Sequence, residues 1–485
     1  MTTKIPEMQD HASPKVTLPH AKTIPLLVTV AVGLIIWFLP PPEGVAIEAW
    51  HLLAIFVATI VGIILKPLPM GAIAMLGIAT TALTATLNIQ DALSGFGNST
   101  IWLIVVAFFI SRGFIKTGLG IRIAYLFMLL LGKKSLGVAY GLIAADLVLA
   151  PAIPSNTARG GGVIYPVLAS IAKAYGSEPD ETTSRKIGAF LTLASFQGLV
   201  ITGAMFLTAM AANPLAAQLA GEQGVNITWS SWATAAIVPG VLSLLAVPFL
   251  IYRIFPPEIK KTPVAVKLAQ DKLNEMGCMK LSEWIMLGAF VSLLILWISG
   301  EMIGINATVT GLTGLGILLL SGVLTWKDVL DEKGAWDTLV WFAALVMMAS
   351  YLNELGLISW FSELISGMVG DQVWISAFLI LSLVYFYSHY FFASNTAHVS
   401  SMYAPFLAVA IAVGTPPVVA ALVLAFFSNL FSSMTHYGTG PAPVYFGYGY
   451  VQMNDWWRIG LIISVVNIII WLGIGGMWWK VLGLW

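Results

Sequence analysis

Two short polar phrases carry the side chains most able to do chemistry in this chain. Ser155-Asn156-Thr157-Ala158 returns as Ser394-Asn395-Thr396-Ala397, and Pro166 and Pro405 follow the two copies at the same distance. The next residue is a fixed cation in the first copy, Arg159, and a titratable one in the second, His398. Ser, Asn and Thr supply two hydroxyls and a carboxamide. A helix that begins there adds backbone N–H groups, which attract anions together with the local dipole. Arginine stays charged and can grip a carboxylate with two parallel hydrogen bonds. Histidine gains or loses its charge near neutrality. Two such tips facing each other would hold the two ends of one elongated dianion.

Each of these residues also has a plainer role. The Ser, Asn and Thr side chains can cap the helices that follow them. Arg159 has Asp146 within reach in the same apolar stretch, and Asp146 is in turn a candidate proton carrier. His389 lies in the aromatic run Tyr385 to Phe392 and reads as a packed or interfacial histidine. Downstream of the two phrases come Thr202-Gly203 and the segment Ser432 to Gly440, which holds His436 and Thr439. Glycine and threonine there can interrupt a span and turn carbonyls toward a shared cavity, or simply let helices pack closely. The candidate binding set is therefore Ser155, Asn156, Thr157, Arg159, Thr202, Gly203, Ser394, Asn395, Thr396, His398, Thr439 and Gly440. Gly160-Gly161-Gly162 is no phosphate loop, because no Gly-Lys-Ser/Thr follows it. Asn226-Ile227-Thr228 and Asn306-Ala307-Thr308 match the weak glycosylation pattern.

The composition says what must position these groups. The chain has 485 residues, 58% of them hydrophobic and 9% charged, against about 25% charged in a soluble domain. It is therefore expected to be an all-α integral membrane protein. A formal net charge of zero implies no nucleic-acid partner. The single cysteine, Cys278, excludes an intrachain disulfide and a cysteine-rich zinc site. No metal or cofactor is expected.

A helix needs about 20 residues to cross the hydrocarbon layer. Eleven apolar runs read as spans: 24–41, 46–65, 70–88, 99–116, 187–211, 232–255, 284–300, 307–323, 337–354, 416–436 and 456–479. Two further stretches, 136–174 and 371–412, are too long for one span and are broken near the middle by the polar phrases. They read as re-entrant helical hairpins, which membranes tolerate only under protein cover or beside a water-filled cavity. Lys and Arg collect in the N-terminal tail, around the first hairpin and in the linker, which places the N-terminus and the first hairpin on the cytoplasmic side and the second hairpin outside. The segments Thr100–Gly118 and Thr338–Gly356 repeat at nearly the same offset as the phrases. The expected organisation is a cytoplasmic tail 1–23, an extra span 24–45, a first repeat 46–255, a cytoplasmic linker 256–283 and a second repeat 284–485. An odd number of spans per repeat inverts the second copy, and inverted repeats with broken helices are a recurrent secondary-transporter plan.

The paired Ser-Asn-Thr tips at 155–157 and 394–396 resemble those of the divalent anion/sodium symporter family, the INDY-type carboxylate transporters. The strings Pro154 to Pro166 and Ser433 to Pro441 are similar to the 2-oxoglutarate/malate translocator branch, which includes citrate/succinate and tartrate/succinate exchangers. The resemblance covers nearly the whole chain after the tail. It implies a homodimer with a scaffold and a moving transport domain, an elevator motion, and carboxylate binding by Ser155, Asn156, Thr157, Ser394, Asn395 and Thr396. In the sodium-coupled branch the residue after each phrase is small and uncharged. Arg159 and His398 depart from that pattern. They suggest a sodium-independent exchanger of dicarboxylates such as 2-oxoglutarate, malate, succinate and fumarate, in which protein cations replace sodium and the empty carrier rarely crosses. A sodium- or proton-coupled symporter of the same fold is the alternative. A membrane enzyme would need a nucleophile or metal cluster that the sequence does not show. An anion channel would differ by rate. The absence of a long transit peptide favours a bacterial inner membrane over a plastid envelope.

Overall fold

The computed structural model describes residues 21–179, 182–368 and 374–485. The expected tail falls largely, and the first residues of the stretch 371–412 partly, outside the described residues. The described chain is helical, its only non-helical pairing an isolated bridge between Lys134 and Lys261. Apolar runs become helices because a backbone without water must satisfy its own N–H and C=O groups. Eight helices are long and apolar enough to cross a membrane: Ile47–Leu65, Ser99–Thr117, Gly188–Met205, Trp229–Ile254, Leu281–Gly300, Lys333–Glu354, Trp374–Phe391 and Met453–Val481. Thr23–Phe38, Met70–Leu83, Ala307–Leu320 and Pro417–Ser433 are shorter apolar helices at positions where the sequence suggests full spans.

The two halves share one order of elements. In the first half Met70–Leu83 and Ser99–Thr117 lead through Leu119–Leu131 to an arm Ser135–Leu149 and a return arm that begins at Asn156. In the second half Ala307–Leu320 and Lys333–Glu354 lead through Leu357–Met368 to an arm Trp374–Tyr387 and a return arm that begins at Asn395. Matching glycines make the bend between the second and third of these elements. Gly118 has φ +78° and Gly356 φ +81°, a left-handed conformation that glycine adopts without a Cβ penalty.

Each return arm carries the same irregularity. A turn of α-helix, Asn156–Arg159 or Asn395–His398, opens into a π-helical stretch, Gly160–Ile164 or Val399–Tyr403, before regular helix resumes. The cause lies in Pro166 and Pro405. Neither can donate to the carbonyl four residues back, at Gly162 or Ser401, and the helix widens there.

The helix after each hairpin is also interrupted. Gly188–Met205 stops at Phe206 and resumes at Ala212–Gly221; Pro417–Leu430 stops near Met434 and resumes at Pro441–Gly447. The first break therefore begins after Thr202-Gly203, not within it. Gly188–Met205 is buried along its whole length. Pro417–Leu430 packs directly against it, with Val419 to Leu430 buried. The linker region contains a helix, Pro263–Met276, packed on Leu119–Leu131. Beside it Arg122, one of the cations around the first hairpin, is buried. Its Nε donates to Glu283 at 2.6 Å, its Nη2 to the same carboxylate at 3.1 Å and its Nη1 to the Gly277 carbonyl at 2.9 Å.

Candidate functional site

The first tip is ordered by one arginine. Ser155 caps the return arm, its Oγ accepting from the Ala158 N–H at 3.1 Å. Arg159 behind it is fully buried. Its Nε donates to Asp146 Oδ1 at 2.9 Å, its Nη1 to the carbonyls of Ile153 and Ala209 at 2.7 and 2.6 Å, and its Nη2 to Asn156 Oδ1 at 2.9 Å. The Thr202 hydroxyl donates to the other oxygen of Asp146. The guanidinium therefore ties together both arms of the hairpin and, through Ala209, the break in the following helix. This is the pairing with Asp146 rather than a free fork awaiting a carboxylate. A buried cation needs a partner, and Asp146 on the facing arm supplies it.

The second tip is built differently. Ser394 again accepts from the N–H three residues on, Ala397, at 3.4 Å, and Asn395 Nδ2 donates to the Ser428 carbonyl at 2.8 Å and Ser432 Oγ at 2.6 Å. His398 is fully buried, and among the described residues no carboxylate hydrogen-bonds to it. Its ring lies nearly parallel to Phe392, Phe431 and His389, with centroids 4.5, 4.5 and 5.2 Å away. His398 Nδ1 lies 3.0 Å from His389 Nδ1, and its Nε2 lies 3.2 Å from Ser388 Oγ. His389 is packed, as its aromatic surroundings suggest, and its Nε2 donates to the Gly438 carbonyl at 2.8 Å.

Both tips border the end of the helix Pro417–Leu430. Ser428 and Ser432 flank it on the side of Asn395, while the neighbouring Asn429 faces the first tip. A Cβ at Gly203 would lie 2.8 Å from Asn156 Nδ2 and 2.9 Å from Asn429 Oδ1, so only glycine leaves both carboxamides in place. Asn429 Nδ2 donates to Asn213 Oδ1 at 2.6 Å, and Asn213 Nδ2 closes the first break by donating to the carbonyls of Gly203 and Phe206 at 2.8 and 2.9 Å. Gly440, at the second break, lies directly over the Thr157 hydroxyl. The first tip thus touches the second half of the molecule, and the turn Asn395–His398 of the second packs on Ala212–Gly221 of the first half. Thr157 is exposed and Ser155, Ser394 and Thr396 are half-buried, whereas Asn156, Arg159, Asn395 and His398 lie behind them. Thr439 is buried in the second break. A polar cavity of about 510 Å³ opens elsewhere, between Ser99, Asn226 to Ser230 and Asn306 to Thr308, and includes none of the tip residues.

Asn213, Ser388, Ser428 and Asn429 were not singled out in the sequence, and Ser432 entered only as the start of the segment Ser432 to Gly440. Their one signal is a polar side chain inside an apolar run, which ordinary helix packing also produces. Among the described residues, no group of three His, Cys, Asp or Glu side chains could hold a metal ion.

An all-helical membrane protein with two polar hairpin tips enclosed between broken helices has the form of a solute transporter. Residues 20–485 match the family described as "Sodium:sulfate symporter transmembrane region", and the chain belongs to it. The match bears out the resemblance drawn from the Ser-Asn-Thr tips. The chain is 63% identical to YflS of Bacillus subtilis (strain 168), over 96% of this chain and 97% of that one. It is 53% identical to "Dicarboxylate transporter 1, chloroplastic" of Arabidopsis thaliana, over 95% of this chain and 83% of that protein. The fold is similar to the crystal structure of the Alcanivorax borkumensis YdaH transporter, with a TM-score of 0.57 at 11% identity, covering 94% of this chain and 96% of that one.

Proposed function

We propose that this protein carries C4 and C5 dicarboxylates across a bacterial inner membrane, one carboxylate at each tip. The Arabidopsis relative is named a dicarboxylate transporter and the Bacillus relative carries a provisional malate-transporter name. The observation that carries the reading is that two matched tips border the end of one buried helix, Pro417–Leu430. Ser155 to Thr157 and Ser394 to Thr396 each offer hydroxyls and a helix N-terminus there. Arg159 acts from behind as a positioning residue, holding Asn156 and the first break, rather than as a direct ligand. His398 takes the matching place behind the second tip.

In this reading transport is exchange without sodium. Asp146 is the one carboxylate near the first tip, and Arg159 and Thr202 already engage it. No further acidic side chain hydrogen-bonds to the tip residues among those described, so the site has no anionic group that calls for a metal counter-ion. The charge of a dianion would be met by the helix N-termini and hydroxyls of the two tips and by the imidazole behind the second tip. The element order shared by the halves supports two repeats, the distribution of Lys and Arg favours the N-terminus inside, and the hairpins with their broken helices would form the moving part of an elevator in a homodimer. The test is uptake of labelled malate or 2-oxoglutarate into proteoliposomes. Uptake should require an internal dicarboxylate and ignore sodium. Sodium-driven uptake into empty vesicles would refute exchange.

A further inference from the structure

A chain of hydrogen bonds crosses the second hairpin, and its hydrogens can be counted. It runs from the Tyr385 carbonyl to Ser388 Oγ at 2.9 Å, then to His398 Nε2 at 3.2 Å, from His398 Nδ1 to His389 Nδ1 at 3.0 Å, and from His389 Nε2 to the Gly438 carbonyl at 2.8 Å. Both ends are carbonyls, which only accept. Each of the four contacts needs one hydrogen. The serine hydroxyl supplies one and each neutral imidazole supplies one. The neutral chain is therefore one hydrogen short, and either Ser388 leaves Tyr385 or a buried contact goes unfilled. One added proton completes every link: Ser388 to Tyr385, His398 Nε2 to Ser388, a single hydrogen between the two Nδ1 atoms, and His389 Nε2 to Gly438.

We propose that Ser388, His389 and His398 form a single-proton binding site, and that one proton enters it when a dicarboxylate occupies the neighbouring tip. This rests on the dicarboxylate reading above. The positive charge belongs to the histidine pair jointly, and His389 is the positioning residue that lets His398 carry it. The surroundings explain why anion and proton arrive together. Tyr385 packs at a tilt against His398 from the first arm, at 4.7 Å between centroids, and gives its own hydroxyl to a contact with Ser428. Phe392 and Phe431 cover the rings. On the segment that holds Gly438, His436 accepts from Trp457 and Tyr437 donates to the Tyr390 carbonyl. No carboxylate, lysine or arginine hydrogen-bonds to either imidazole among the described residues. A buried charge without a partner costs several kcal/mol. A carboxylate at Ser394 to Thr396, beside the capped N-terminus that leads to His398, removes that cost. Under exchange the proton accompanies each dianion in both directions.

The test is calorimetric titration of the purified protein with malate in buffers of different ionisation enthalpy, across about pH 6.5–8.5, where imidazoles titrate. The slope of observed heat against buffer enthalpy gives protons taken up per malate. The slope should approach one proton for the native protein toward the acidic end, where the occupied site keeps its proton and the empty site, lacking a counter-charge, does not. His389→Gln should retain uptake, because the carboxamide bridges His398 Nδ1 and the Gly438 carbonyl and leaves the chain one hydrogen short. Ser388→Ala and His389→Phe should abolish it, since in each the remaining contacts are filled by the neutral groups. Binding heat with no buffer dependence in the native protein, or uptake that survives Ser388→Ala and His389→Phe, would overturn the proton site and leave dicarboxylate binding standing. Absence of malate binding in every buffer would sink both.

Discussion

The two hairpins share a phrase, a cap, a π-helical stretch and a proline, yet they handle charge in opposite ways. Behind the first tip lies a complete ion pair, Arg159 with Asp146, sealed by Thr202, Asn156 and two carbonyls. Behind the second lies an imidazole pair in an aromatic enclosure with no fixed counter-charge. The position matching Asp146 in the second hairpin is Tyr385, and those matching Ser388 and His389 in the first are Leu149 and Ala150. One scaffold thus offers a permanent, internally balanced electrostatic site and a conditional one. The halves share their order of elements and the irregularity of the return arm, while the side chains behind the tips differ.

The comparison can be broken most forcefully at the ion pair. Asp146→Ala should leave Arg159 as an uncompensated buried cation and destabilise the protein by about 3–5 kcal/mol. The double variant Asp146→Ala with Arg159→Leu should be markedly more stable than Asp146→Ala, measured by thermal unfolding in detergent. A single variant as stable as the native protein would mean that the pair is not the structural tie described here. Gly203→Ala comes next. Its methyl group must displace Asn156 or Asn429, at about 1–3 kcal/mol for an overpacked site, and malate counter-flow should fall about tenfold for each 1.4 kcal/mol lost from binding. Retained counter-flow would show that these carboxamides do not define the site.

On the second hairpin, Asn395→Ala removes the bonds to Ser428 and Ser432. The predicted loss is about 1 kcal/mol of tip order, seen as a weaker malate affinity with near-native thermal stability. An equal loss of stability in Asn395→Ala and Asp146→Ala would erase the distinction between the halves.

The smallest effect lies outside the hairpins and calibrates them. Lys116 donates to Asp328 at 2.6 Å, and that contact holds the Asp328 carboxyl down to about 2. The folded carboxyl is the stronger acid, so its contribution is present above the ordinary aspartate range and lost as pH falls from about 4 toward 2. Lys116 remains 40% exposed, and solvent screening limits the effect to under about 1 kcal/mol. Lys116→Met should accordingly flatten the acid limb of the stability profile only slightly.

Much of this architecture is legible in the sequence because the duplicated phrase is rare in form and the apolar runs are long. Hairpin breaks follow from Pro154 and the polar tips, since few other arrangements are open to polar backbone at membrane depth. Arg159's partner is visible as well, Asp146 being its nearest acidic neighbour within the stretch. The helices Leu119–Leu131, Leu357–Met368 and Pro263–Met276 are harder to read. They are short or mixed in polarity, and they acquire their role only by packing. The His389–His398 contact is not legible at all. Nine positions separate the two in sequence, and a turn of unpredictable geometry brings the rings together. The roles of Asn213 and Asn429 likewise depend on a contact between halves that no local pattern encodes.

The account rests on one dicarboxylate bridging the two tips, and a cryo-EM structure of the protein with bound malate tests that most directly. Density for one carboxylate against Ser155 to Thr157 and the other against Ser394 to Thr396, with Arg159 still paired to Asp146, is the predicted result. Malate lodged in the cavity beside Ser99, Asn226 and Asn306, with both tips empty, would contradict it.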